Sequence, residues 1–389
     1  MNFFLYILII IFLIEIFIFL NIKYLQSKIP WVITENDEFP NFNKLKIKNF
    51  LKKTHDPLLG WNWKPNTRHK EEINSKIHNI FFGKFGERKS FKFKKRYKFA
   101  SFGDSFVFCR YVKNNQTWQN YLTLSSGQNG LNFGVGNFGL DQIYLKYLTA
   151  NIPKNVKTIF IGFVPETLSR CLCTWKHYHE FKNIYAFKPK FVLKKKKLLL
   201  VKNPINSYKS FNNIDKNINS FKYKEFFYKE KFLKYKLNFP FSFSFLKNFS
   251  YNLKLFSFSF LKTLNINDEK IWDFIINLNC KKNDSYYSER ENKRLLNEIF
   301  LKFLEQSKKK EHKIVFLVFP QKYDLLIPQK KYQNYYSKMK KKFNIIDFTE
   351  VFEKDNIDRI YLPSKYGGHL TPYGNKIVAN TLLNKGLIV

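Results

Sequence analysis

The chain reads as an α/β protein: a parallel sheet with helices on both faces, preceded by a transmembrane helix and interrupted by a long insertion. Three observations predict this. Short apolar runs bounded by turn residues alternate with segments of helical period. The first 20 residues are almost wholly apolar. Between about residues 180 and 290 the alternation gives way to a Lys- and Phe-rich stretch.

The N-terminus runs NFFLYILIIIFLIEIFIFLNIKYL, and Phe3 to Leu20 is apolar except for Glu15. Those 18 residues at helical rise nearly span a bilayer core. No A-x-A-like cleavage site follows, so residues 1–25 are expected to stay as an anchor, with 3–22 in contact with the bilayer. Glu15 is expected to be neutral in lipid or to face a membrane partner helix. Lys23 and Lys28 follow the span and no Lys or Arg precedes it. The positive-inside rule would place the rest of the chain in the cytoplasm, but a chain this basic throughout leaves the side of the membrane open.

Residues 26–94 read as a juxtamembrane segment and a strap. Within it THDPLLGWNWKPN (Thr54–Asn66) packs two Trp, a Gly and two Pro into a loop-like module. It is read as a surface strap over a sheet edge, and Asp56 is given no chemistry. Residues 95–389 form the main unit. Strands are predicted at Tyr97–Phe102, Leu131–Val135, Thr158–Val164, Ile314–Phe319 and Ile345–Phe348. Helices are predicted near Thr117–Leu124, Asp141–Ala150, Asn292–Gln306, Lys330–Lys342 and Pro372–Asn384. This alternation argues a three-layer sheet, and five strands suit a flavodoxin-like order with the site at the strands' C-terminal ends.

The insertion, about 180–290, holds two FSFSF copies, Phe241–Phe245 and Phe256–Phe260. Alternating Phe and Ser fits a half-buried hairpin, and Phe with Lys fits a membrane surface. A lid or satellite layer over the sheet is the plainest reading.

Composition excludes less than its charge suggests. There are 68 Lys and Arg against 30 Asp and Glu, a net charge of +38. Residues 181–290 carry 23 basic and 8 acidic residues, in proportion to their length, so the charge is spread rather than gathered into a patch. Lys, Asn, Ile, Phe and Tyr are inflated together, and their AT-rich codons account for the bias. No nucleic-acid partner is expected; a general attraction to lipid headgroups or acidic glycans remains. The four cysteines, Cys109, Cys171, Cys173 and Cys280, make no disulfide framework pattern. Cys171, Cys173, His177 and His179 are zinc-ligand types, but residues two apart on a helix diverge, so no metal is expected. No cofactor is expected either.

Two short motifs carry chemistry. FASFGDSFVF places Gly103-Asp104-Ser105 on a tight turn after an apolar strand, and YGGHLTPYGNKIVA places His369 before the last helix. A serine hydroxyl needs a base within reach, and a neutral imidazole can take its proton and return it to a leaving group. Thr371 and Pro372 read as N-cap and first turn of the terminal helix.

These motifs resemble the first and last blocks of the SGNH/GDSL hydrolase superfamily. LNFGVGNFGLDQ (Leu131–Gln142) resembles its second block, and IFIGFVPETLSR (Ile159–Arg170) stands where its third belongs. The likeness covers about 95–175 and 312–389. It implies the SGNH hydrolase fold, Ser105 as nucleophile and His369 as base. It also implies an oxyanion hole built from the Ser105 N–H, Gly136 and Asn137. The chain departs from the pattern twice. The Asp expected three residues before the His is Tyr366, and Asp355 and Asp358 lie further upstream. The third-block Asn is absent, and Gly162-Phe163-Val164-Pro165-Glu166 takes its place. The Asn137 side chain is expected to replace that Asn. Glu166 is the candidate acid for orienting His369, with a salt bridge to Arg170 as its alternative role. The resemblance further implies a membrane-anchored serine esterase or acyltransferase acting on O-acyl, chiefly O-acetyl, groups of a glycan. A lipid esterase and a catalytically degraded fold serving in glycan assembly or binding are the rivals.

Overall fold

The structure, a computed structural model, describes residues 2–28, 33, 40, 42–73, 76–180, 183–195, 197–263 and 269–388. Five strands form the central sheet: β1 (Tyr97–Gly103), β2 (Asn129–Asn132), β3 (Thr158–Phe163), β4 (Lys313–Val318) and β5 (Ile345–Asp347). Each neighbouring pair is parallel, and the spatial order is 2-1-3-4-5. The helices used below are α1 (Asn2–Lys28), α2 (Ser105–Phe108), α3 (Trp118–Ser126), α4 (Leu140–Thr149), α5 (Thr167–Leu172) and α6 (Phe241–Lys247). They continue with α7 (Phe249–Thr263), α8 (Glu269–Ser285), α9 (Arg290–Lys309), α10 (Lys331–Met339) and α11 (Pro372–Asn384).

The inner strands β1, β3 and β4 are apolar on both faces, which is why they read as continuous runs in the sequence. Along β4, Ile314, Phe316 and Val318 join one core, while Val315, Leu317 and then Phe319 join the other. Tyr147 of α4, Phe300 and Phe303 of α9 and Tyr336 of α10 fill the first. Trp118 and Leu122 of α3 and Val378 and Leu382 of α11 fill the second. Side chains alternate across a strand, so a sheet with two apolar faces must be covered twice, giving three layers. β2 ends earlier than expected. Phe133 and Val135 still donate to Ser101 O and Gly103 O, but the chain there turns away against α2.

A short antiparallel pair, His55–Asp56 with Gly60–Trp61, closes the strap. Asp56 accepts from the Leu58 and Leu59 N–H groups, an Asx turn with no chemical task.

The insertion differs from a hairpin at both FSFSF copies, which lie in α6 and α7. In α6, Phe241 and Phe245 stand four apart and pack together with Ile18, Ile22 and Leu25 of α1. Phe243 takes the opposite face. Strand alternation requires a partner edge, whereas a helix satisfies its own backbone wherever it lies. α1 is long and apolar enough to cross a membrane over Phe3–Ser27. Glu15 finds its partner within the chain, at the start of α6: it accepts from Phe241 N at 2.6 Å and Ser242 N at 2.9 Å.

Candidate active site

β1 ends at Gly103, where a Cβ would lie 2.2 Å from Gly162 O of β3. Only glycine permits that approach. The next residue, Asp104, is fully buried and makes three connections. It caps α2 through Phe106 N (2.9 Å), accepts from Val164 N (2.9 Å) and faces Arg170 Nη1 (3.2 Å). One carboxylate thus ties the ends of β1 and β3 to the start of α2. Burial pushes its pKa up, and the Arg170 charge opposes the shift. Ser105 is the first residue of α2 and lines a cavity of about 450 Å³. Arg88 holds the other end of α2, donating to Phe108 O and Cys109 O at 2.7 Å each.

His369 lines the same cavity. Its ring lies 5.3 Å from that of Phe106 and 5.5 Å from that of Tyr111, centroid to centroid. Nδ1 is 2.6 Å from the Tyr366 carbonyl oxygen. A carbonyl only accepts, so Nδ1 carries the proton and Nε2 keeps its lone pair. The main chain of Tyr366 therefore occupies the role expected of an Asp side chain at that position. Gly367 makes this possible: its φ is +71°, and a Cβ there would lie 2.9 Å from His369 Cε1. Burial, with the Arg110 charge and, more weakly, that of Arg170, pushes the His369 pKa down to about 3, against a modest upward pull from the Tyr366 carbonyl.

The sign for activity follows. A base works while neutral, and a pKa below 6.5 keeps it neutral further into acid. Ester turnover (kcat/KM for a small aryl acetate) is expected to hold its pH 7 value at pH 5.5, where an unperturbed imidazole would be about nine-tenths protonated. Arg110→Gln should move the acid limb upward, because it removes one of the charges that depress the pKa. A limb at or above 6.5 in the unmodified protein would rule this environment out.

Asn137 joins Ser105 and His369 at the cavity wall, in the left-handed backbone region at φ +64°. Its side-chain Nδ2 donates to Glu180 Oε2 at 2.9 Å. The preceding Gly136 is pinned by the strap, its carbonyl accepting from Trp61 Nε1 at 2.9 Å. Glu166 lines the cavity but turns to Arg170 Nη2 at 2.7 Å rather than to His369. Its i+4 salt bridge is thus the observed arrangement, and the imidazole has the Tyr366 carbonyl instead.

Cys171 and Cys173 sit in the core with their thiols pushed up by burial, Cys173 to about 11. They belong to different segments from His177 and His179, which lie on the short helix Lys176–His179. His177 packs against Trp175 and Tyr178. Among the described residues, Glu166, His179 and Glu180 do bring ligand atoms within 4.8 Å of one another. Both carboxylates are already paired, Glu166 with Arg170 and Glu180 with Lys176 at 2.8 Å. His179 meets Lys176 Nζ at 3.0 Å, and burial with these cations holds it neutral. This is an ion-pair network that braces the cavity wall, with its negative charge already compensated.

Sequence reasoning missed Arg88, Arg110, Tyr111 and Trp61. Arg110 and Tyr111 reach the cavity because Glu71, on a hairpin upstream of the sheet, accepts from Arg110 Nε (3.2 Å) and Tyr111 N (2.9 Å). The signal for Trp61 was visible as a Trp in a Gly/Pro-rich strap. The others are lone basic or aromatic residues in a chain rich in both.

No protein-family model and no curated protein matches this chain. Among solved structures, a proposed lipolytic protein of the G-D-S-L family from Desulfitobacterium hafniense DCB-2 aligns at 10% identity with a TM-score of 0.32, over 73% of this chain and 97% of that one. A likeness that loose says nothing of this chain's activity, which has to be read from the site.

Proposed function

We propose that this chain is a membrane-anchored serine esterase or acyltransferase of SGNH type, acting on O-acyl groups, chiefly O-acetyl, of a carbohydrate. The observation that carries it is that Ser105 at the start of α2 and His369, with Nδ1 held by a carbonyl, line one cavity. The 2-1-3-4-5 order supports a flavodoxin-like doubly wound sheet, whose sites form at the C-terminal strand ends. Glycan specificity rests on the motif resemblance alone.

In the proposed reaction His369 Nε2 takes the Ser105 proton as Oγ attacks the acyl carbonyl. The oxyanion receives hydrogen bonds from the Ser105 N–H and from the Gly136–Asn137 turn. His369 returns the proton to the leaving hydroxyl, and water or an acceptor hydroxyl then attacks the acyl-Ser105 ester. An amide carries two hydrogens, so Asn137 can hold Glu180 with one and offer the other. Asn137→Ala is expected to lower kcat by about 10²–10³-fold with little change in KM, as for one lost oxyanion donor. An unchanged kcat in steady-state assays would remove Asn137 from the hole.

A fluorophosphonate probe tests the whole reading. It is expected to label Ser105 in the folded protein and to fail on Ser105→Ala. Absence of labelling would hand the chain to the rival reading, a degraded fold that binds or assembles glycans without acyl transfer.

A further inference from the structure

Between Lys236 and Lys247 the chain runs LNFPFSFSFL, ten residues without a charge in a segment otherwise dense in Lys. This stretch leaves the catalytic cavity, descends along α1 and returns. At one flank Tyr235, a cavity residue, packs tilted against Tyr251, another, with centroids 4.5 Å apart. At the other flank Asn248 Nδ2 donates back to Lys234 O at 2.6 Å. The far end of the excursion is fixed by Glu15, which caps α6. Glu15 lies eight residues before Lys23, the first charge after the apolar run, or about 12 Å along the helix axis. A partner reaching Glu15 has reached the depth of the hydrocarbon core, if α1 spans a bilayer about 30 Å thick.

Several polar groups at that end bond within the chain. Besides the two N–H groups on Glu15, the Ser242 hydroxyl also bonds to Glu15. Asn238 donates its N–H to Ser244 Oγ at 3.1 Å, and the same hydroxyl bonds to Asn238 O at 2.8 Å. The apolar side chains do the reverse and face out: Phe239 is 77%, Phe243 74% and Leu246 64% exposed. Backbone groups bonded inside and large apolar side chains outside are what a medium without water demands. In water the same segment would display an apolar patch beside an already apolar helix.

We propose that residues 237–246 are a re-entrant segment that dips into the lipid bilayer beside α1, in the leaflet holding the C-terminal half of the anchor. The occupant of this surface is the acyl region of phospholipid. Through Tyr235 and Tyr251 the dip stands directly under the catalytic cavity and sets it at the headgroup level. This rests on the reading of α1 as a span, and its substrate consequence is an ester presented at the membrane surface.

The test measures depth, not activity, so it stands apart from the esterase reading. The full chain is placed in vesicles of mixed zwitterionic and anionic phospholipid. A nitroxide is attached at Phe239→Cys, Phe243→Cys or Leu246→Cys, exposed positions whose replacement disturbs no core. The four native cysteines are buried, and Cys280, which lines the cavity, is replaced by Ala in every labelled variant. Ile14→Cys in α1 gives the lipid reference and Leu301→Cys in α9 the water reference; both positions are exposed. The three insertion labels are expected to show the high oxygen and low nickel-chelate accessibility of position 14. If position 14 reads as lipid while 239, 243 and 246 read like 301, the re-entrant segment is overturned. If position 14 itself reads as water, the anchor falls and the proposal with it, leaving the Ser105 labelling result untouched.

Discussion

Ser105→Ala is expected to lower kcat by about 10⁴–10⁶-fold, His369→Ala by nearly as much, and the double change by little more than either alone. Two residues passing one proton fail as a unit. The acyl-enzyme should disappear in Ser105→Ala, as read by intact-protein mass after exposure to an aryl ester. Because the ring nitrogen facing the cavity is held neutral well into acid, the loss in His369→Ala should be of similar size at pH 5.5 and pH 8. Full activity in His369→Ala would end the dyad reading and require another base.

Arg170→Met is expected to destabilise the fold by about 3–5 kcal/mol, the cost of leaving a buried charge without its partner. Asp104 would lose its ion pair while fully buried, and Glu166 would lose the guanidinium it faces at 2.7 Å. Asp104→Asn should cost less, since the amide oxygen can still accept from one of the two N–H groups and Arg170 keeps Glu166. Denaturant midpoints of the detergent-solubilised variants separate the two. Equal and small losses would mean the Asp104–Arg170 pair is solvated and does not clamp the strand ends.

The sheet was legible because its inner strands are apolar on both faces and the helices that cover them show a 3.6-residue stripe. The helical period of Asn292–Gln306 puts Leu295, Leu296, Ile299, Phe300 and Phe303 on one face, and all five are buried in α9. The terminal helix was legible to the residue, Pro372–Asn384, because Thr371 caps it and proline fixes its first turn. FSFSF misled because a period of two in composition is not a period of two in burial. Serine hydroxyls bonded back along the chain, as Ser257 to Leu253 O, let polar residues sit in an apolar helix. Ser105, Asn137 and His369 could be singled out as candidates because their residue types are chemically unusual at a strand end or before a helix. The ion pairs of Glu166 and Glu180 depend on which loops meet, and pairings across the fold leave no trace in local spacing.

The carbonyl of Tyr366 is a constituent of the site that no side-chain substitution at that position deletes. Its placement is written in the two glycines that follow, so position 366 should tolerate wide exchange while position 367 tolerates almost none. A search that asks for a carboxylate beside the histidine would pass over this arrangement. The information such a search needs lies in a backbone turn, and a Gly-Gly-His string is its nearest signature in the letters.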